Sequence, residues 1–257
     1  MKTRERPPRW LGRRRARPDA RLQVYVFAHA GGSPGEYLPW SDELTDLQIW
    51  GVQLPGRGAR LADPVYTELA PLVDDLVSQV SFTGPFVLFG HSFGALLAYE
   101  TARALRRAGR DLPEHLILSS GPVPNTTGAR DRSTWLHTLA DDDLITAAEK
   151  RWGPLPDQVR TDARLRQLIL GPLRADLGVM ETYVHVPGPR LDIPATLLRG
   201  TREGPRSGAE GVGWDEHLAR ITARHALPGG HFYFREDRAP VLDVIRAVTG
   251  PLVEVSA

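Results

Sequence analysis

The 257-residue sequence contains no cysteine. That absence excludes disulfides, thiolate metal ligands and a cysteine nucleophile, so the fold must hold by packing alone and a reducing cytoplasm is the expected compartment. A run of about 20 apolar residues is also missing, which excludes a membrane-spanning helix. Net charge is nearly absent, at +1, but unevenly spread. Arginines crowd the first twenty-odd residues, including Arg13, Arg14 and Arg15, so the remainder is acidic. A twin-arginine export signal is excluded because no apolar segment follows before Pro18-Asp19-Ala20-Arg21. Residues 1–20 therefore read as a basic, disordered, solvated arm with no nucleic-acid or membrane role. With 41% hydrophobic and 25% charged residues, the chain has the composition of a water-soluble globular protein. Its length suits one core carrying an insertion.

Short continuous apolar runs predict buried strands at Leu22–Ala28, closed by Gly31-Gly32, at Leu47–Leu54, stopped by Pro55-Gly56, and at Phe86–Phe89. Further strands are expected at His115–Ser119, Ala195–Leu198 and Arg224–Leu227. Between them, Leu69, Leu72, Val73, Leu76, Val77 and Val80 recur at helical spacing, Ala95–Leu105 has the composition of a buried helix, and Val241–Val248 closes the chain with a helical pattern. Alternating strands and helices predict an α/β fold with a mostly parallel sheet covered on both faces. From about residue 122 to 186 the alternation breaks. Trp135–Leu139, Leu144–Trp152 and Leu165–Leu170 read as helices with no strand between them, which is the pattern of a helical cap over a buried site. Gly200–Gly213, rich in glycine and charge, reads as a mobile loop.

The chemistry concentrates at Gly90-His91-Ser92-Phe93-Gly94. A G-x-S-x-G run between a strand and a helix is the nucleophile elbow of the α/β-hydrolase fold, in which flanking glycines let strand and helix approach closely and the serine tops a strained turn at the helix N-terminus. A serine hydroxyl needs a base, and this fold supplies it late in the chain, after the acid. His231 fits, following Pro228-Gly229-Gly230 and preceding the last helix. His225 is the rival, but it falls inside a strand, and His137, His185 and His217 read as structural. The oxyanion donors expected are the backbone N–H of Phe93 and that of Ala30, in the loop His29-Ala30-Gly31-Gly32. For the acid, Glu203 in Gly200-Thr201-Arg202-Glu203 stands just after a strand where this fold presents one, with Asp176, Asp192 and Asp215 as alternatives. Nothing in the pattern calls for a metal or cofactor.

Taken together, Phe27–Ser33, Leu54-Pro55-Gly56-Arg57, Phe89–Ala95, Leu173-Arg174-Ala175-Asp176, Glu181-Thr182-Tyr183 and Leu227–Tyr233 resemble the type II thioesterases that accompany polyketide and nonribosomal peptide synthetases. The likeness runs from about Trp10 to the end of the chain. It implies hydrolysis of acyl groups from the phosphopantetheine arm of an acyl or peptidyl carrier protein, clearing misprimed or stalled units. It makes Ser92 the nucleophile, His231 the base, Ala30 and Phe93 the oxyanion donors, and the helical insertion a lid over an acyl channel. One position departs: where the family usually has an aspartate, this chain has Glu203, one methylene longer.

The expectation is thus a serine hydrolase acting on acyl thioesters as a monomer, and, with no carrier domain in the sequence, as a discrete trans-acting protein. A releasing or cyclising thioesterase and a general carboxylesterase are the rival enzymes. A carrier-binding protein that has lost turnover is the rival outside enzymology.

Overall fold

The structure, a computed structural model, describes residues 10–124, 132–204 and 213–255. Seven strands, β1 (Leu11–Gly12), β2 (Leu22–Phe27), β3 (Leu47–Val52), β4 (Phe86–His91), β5 (His115–Ser119), β6 (Leu191–Gly200) and β7 (Leu218–Leu227), form one sheet in the order β1-β3-β2-β4-β5-β6-β7. All neighbours run parallel except β1 and β3. The expected α/β-hydrolase architecture is the one found.

Both faces of the sheet are covered, and the two-residue side-chain period of a strand sorts the core accordingly. Tyr25, Phe27, Phe86 and Leu88 join the cluster built with helices α1 (Leu69–Gln79) and α2 (Phe93–Arg107). Their alternates Val24, Val26, Val87 and Phe89 join the cluster containing Val241, Leu242 and Ile245 of the C-terminal helix. The last strand, β7, is exposed along most of its length. Arg220 and Arg224 there pair with Asp192 and Asp215, a charged edge that discourages pairing with another chain.

Between β5 and β6 the described residues include the helices α3 (Asp141–Trp152), α4 (Gln158–Thr161) and α5 (Ala163–Thr182). After β7 come α6 (Tyr233–Glu236) and the C-terminal α7 (Ala239–Val255). Among the described residues, no helix is long and apolar enough to cross a membrane.

Three expectations need correction. The basic arm is not disordered as far as residue 20. Trp10 is 1% exposed, its indole N–H donates to Gln79, Arg60 stacks over its ring at 4.0 Å, and Leu11 and Gly12 pair with Val52 and Gly51 of β3. Arg14 and Arg15 both reach Asp42, so the charge that suggested a solvated arm is partly matched. Residues 1–9 lie outside the described residues. Trp135–Leu139 is not a helix but a series of turns after a short 3-10 turn (Arg132–Thr134), and the Glu181 carboxylate takes the N–H groups of Leu136 and His137 there. Finally, the helix expected at Leu165–Leu170 runs for 20 residues, through Pro172. It starts on Asp162, whose carboxylate caps Arg164 and Leu165. The centre of the expected mobile loop, 205–212, lies outside the described residues.

Removing the Trp10 anchor tests whether the N-terminal segment belongs to the core. Trp10→Ala is expected to cost about 3–5 kcal/mol in urea denaturation; an unchanged midpoint would return this segment to the solvated arm.

Candidate active site

Every predicted site residue lies at or just beyond the carboxyl end of a strand: His29–Gly32 after β2, Ser92 after β4, Glu203 after β6 and His231 after β7. The chain passes from β2 to β3 on one side and then to β4 on the other, so β2 is the switch point of the sheet, where open α/β sheets form their crevices. β2 and β4 are hydrogen-bonded neighbours, with Phe27 opposite Gly90, and this register sets the glycine loop beside the serine.

Ser92 takes φ 56° and ψ −117°, a strained region for a residue with a side chain. The turn closes because its flanks have no Cβ. One at Gly94 would sit 2.1 Å from the Phe27 carbonyl oxygen, and one at Gly90 would sit 2.1 Å from that of Gly94. Ser92 N–H donates to the Ser119 carbonyl at 2.8 Å. Although Ser92 is the N-cap of α2, its hydroxyl does not cap the helix. Ala95 N–H turns back to the Ser92 carbonyl at 3.0 Å, while the leading N–H groups of a helix, that of Phe93 among them, have no intrahelical acceptor.

His231 Nδ1 lies 2.5 Å from Glu203 Oε1, with the two side chains only 9% and 4% exposed. The second carboxylate oxygen accepts from Ser120 Oγ at 2.6 Å and from Gly200 N–H at 2.8 Å. Glutamate therefore spans the distance at this position, and Ser120, itself at φ 48°, is a supporting residue that sequence reasoning missed. No local pattern announces Ser120; it becomes relevant only because β5 neighbours β6. The His231 ring stands 4.9 Å from that of His91, the residue before the serine, and 6.4 Å from the indole of Trp152 at the end of α3.

In the loop after β2, Gly31 adopts φ 73° and donates its N–H to Asp176 Oδ2 at 2.8 Å. Gly32 N–H donates to the His29 carbonyl. These ties use the neighbours of Ala30 and not its own N–H. Asp176 is held by Arg57 through both oxygens, at 2.5 and 2.6 Å. Asp192 and Asp215 face Arg220 and Arg224 on the exposed edge. Of the four carboxylates weighed, only Glu203 meets His231.

A cavity of about 150 Å³ unites these parts: His29, Ala30, Gly31, Ser92 and His231 on its sheet side, with Trp152, Leu155, Ile169, Leu173 and Met180 of the helical insertion opposite. His225 is exposed on β7, while His137, paired with Glu181, and His185 and His217, packed ring to ring, do not line it. Among the described residues, no cluster of His, Asp or Glu could hold a metal ion. A hydroxyl, an imidazole oriented by a carboxylate, and nearby backbone N–H groups are the components of acyl transfer through a covalent serine intermediate.

Two further imidazoles near the site are kept neutral. Burial, with Arg235, His231 and Arg57 adding repulsion, lowers His29 to about 3. Burial, then His231 and His29, holds His91 well below the ordinary histidine range. His91 Nδ1 is tied to Ser119 Oγ at 2.7 Å, which in turn meets Tyr233 OH at 2.6 Å.

Comparison with known proteins shows what the chain as a whole is similar to. A family model described as thioesterase domain matches residues 22–249. Thioesterase PikA5 of Streptomyces venezuelae is 32% identical over 231 residues, 88% of this chain and 80% of that protein. RedJ, a thioesterase from the prodiginine biosynthetic pathway in Streptomyces coelicolor, matches with a TM-score of 0.78 at 33% identity, covering 90% of this chain and 89% of its own. BorB, the type II thioesterase of the borrelidin biosynthetic cluster, matches at 0.80 and 32%, covering 95% and 98%.

Lowering His29 makes stability depend on pH. Its folded value lies below the unfolded value of about 6.5, so its contribution is complete above that pH and is lost as pH falls toward 3. Between pH 5 and 4 it steepens the loss by about 1.4 kcal/mol per pH unit. Urea denaturation of His29→Gln over that interval should show a shallower slope than the parent chain; equal slopes would mean that His29 takes up its proton while folded.

Proposed function

The chain belongs to the thioesterase domain family, and from that premise we propose that it is a stand-alone type II thioesterase, hydrolysing acyl thioesters from the phosphopantetheine arm of carrier proteins in a polyketide or nonribosomal peptide synthase. We place its work in the cytoplasm and assign it a monomeric form. The observation that carries the reading is the joint presence of Ser92 and the carboxylate-bound His231 on one cavity faced by an apolar helical wall. PikA5, RedJ and BorB, all named as thioesterases and the last two from a biosynthetic pathway and a biosynthetic cluster, support this reading.

In the reaction, the thioester carbonyl lies over Ser92 and the acyl chain lies against Leu155, Ile169, Leu173 and Met180. His231 Nε2 removes the hydroxyl proton as the oxygen attacks, while Glu203 holds Nδ1–H, fixes the tautomer and stabilises the imidazolium. The Ala30 and Phe93 N–H groups take the charge that develops on the carbonyl oxygen, aided by the positive end of α2. As the tetrahedral adduct collapses, the C–S bond breaks and the imidazolium returns its proton to the departing thiolate. Water, deprotonated by His231, then attacks the acyl-serine, and the free acid leaves with Ser92 restored. The lowered proton affinities of His29 and His91 suit this division of labour, because additional cations beside His231 would oppose its transient charge.

Intact mass spectrometry after fluorophosphonate treatment should show one adduct, at Ser92, absent from Ser92→Ala. Release of acid from a panel of acyl-carrier proteins should exceed that from matching free esters and vanish in Ser92→Ala; equal rates on both substrates would favour a general carboxylesterase, and capture of the carrier without turnover a silent binder.

Glu203→Ala should lower kcat by about 10⁴-fold with its fold intact. A near-parental rate would move the orienting role to another carboxylate.

A further inference from the structure

One buried ion pair near the cavity has no part in the proton transfers. The Asp176 carboxylate, on α5, meets the Arg57 guanidinium, in the loop after β3, as a two-pronged pair whose side chains are only 6% and 7% exposed. Its placement is unusual because both partners also grip the backbone of the loop after β2. Asp176 Oδ2 accepts the Gly31 N–H at 2.8 Å, and Arg57 Nη1 donates to the Gly32 carbonyl at 3.1 Å.

We propose that Arg57 and Asp176 are positioning residues that hold the Ala30–Gly32 backbone in the orientation needed for Ala30 N–H to meet the reacting oxygen, and that they couple this orientation to the seating of α5. The inference rests on the proposed role of Ser92 and Ala30.

The physical need comes from the loop itself. Gly31 requires glycine for its φ of 73° and for the close packing of Leu173, whose Cβ would lie 3.0 Å from a Cβ at this position. Gly32 follows directly. Two consecutive glycines give the backbone the greatest conformational freedom, whereas an electrostatic donor stabilises a transition state only if it is already aimed. A charge-assisted clamp on both sides of the Gly31–Gly32 unit removes that freedom at a cost met in folding. The pair also crosses between elements. Leu173, Asp176 and Met180 occur at helical spacings of three and four, so the α5 face that lines the acyl cavity also carries the clamp. An acyl group that seats α5 well thereby keeps the Ala30 peptide in place. Glu181, on the same helix, is similarly buried and ion-paired but bonds His137 and Leu136 instead of the loop. It provides an internal comparison.

The test uses the full-length chain and a short acyl thioester of N-acetylcysteamine. Asp176→Asn should lower kcat about 10- to 100-fold with KM changed by less than about threefold, and should leave the pH dependence of kcat/KM where it was, because His231 and Glu203 are untouched. Glu181→Gln should keep kcat within about twofold. Because removing one charge leaves the other buried and unpaired, the double variant Arg57→Met, Asp176→Leu completes the set; it should recover thermal stability but stay slow. Recovery of kcat together with stability in the double variant, or equal kcat losses in Asp176→Asn and Glu181→Gln, would reduce the pair to a structural anchor and overturn the proposal. A parent chain that turns over and is matched by Ser92→Ala would instead overturn the catalytic reading, so the two failures are distinguishable.

Discussion

The close contact between the start of α2 and the carboxyl end of β2 is the constraint on which the site depends. Gly94 passes so near the Phe27 carbonyl that no other residue fits, and this approach bends the chain sharply enough to hold Ser92 at φ 56°. Strain of this kind costs on the order of 1–3 kcal/mol and persists only where the surroundings over-determine it. Here they do: β4 is bonded on both sides, to β2 and β5, and α2 is buried along nearly its whole length. The same contact places the start of the glycine loop against the elbow. Serine and loop are therefore juxtaposed by the sheet itself, before any of the inserted helices contributes.

Charge is distributed around this point so that one imidazole is distinguished from its neighbours. His29, His91 and His231 form a chain of ring contacts through His91 at 6.2 and 4.9 Å, yet only His231 has a carboxylate at its Nδ1. His29 Nδ1 faces the Tyr37 hydroxyl and His91 Nδ1 the Ser119 hydroxyl, neutral partners in buried settings that oppose protonation. Two of the three imidazoles are thus disfavoured as proton acceptors by their surroundings, and the third is the one a carboxylate orients, which separates a working base from its structural neighbours.

The parts of this arrangement that local chemistry dictates were legible in the sequence. The apolar runs at Leu22, Leu47, Phe86 and His115 became strands within a few residues of their expected ends, and the glycines around Ser92 and before His231 marked turns that the structure contains. Glu203 could be chosen because an acid follows a strand at that point in the chain order. What was illegible depended on contacts distant in sequence. The two-residue β1 is too short to carry a periodic signal and exists because Trp10 is buried beside Arg60. Trp135–Leu139 has helical spacing but forms turns, two of whose amides, Leu136 and His137, meet Glu181 more than 40 residues away. Asp176 and Arg57, 119 residues apart, looked like an alternative acid and an unassigned motif until the fold joined them.

The acids finally explain why composition alone could not assign the site. Glu100, Asp176, Glu181 and Glu203 are all well-buried carboxylates beside a cationic or imidazole partner: Arg103, Arg57, His137 and His231 in turn. Burial and pairing are common to all four, so neither feature identifies the working acid. A buried carboxylate must be paired wherever it occurs, since an isolated charge in a poorly solvated interior is far too costly. The distinguishing property belongs to the partner. Arg103 and Arg57 are guanidinium groups, which only donate hydrogen bonds, and His137 lies off the cavity, whereas His231 is an imidazole with a second ring nitrogen to offer a substrate and lines it. Function at this site therefore resides in which partner a carboxylate meets and where that partner stands; of the three remaining pairs, one lies within α2, one joins α5 to the loop after β3, and one joins α5 to the turns at 135–139.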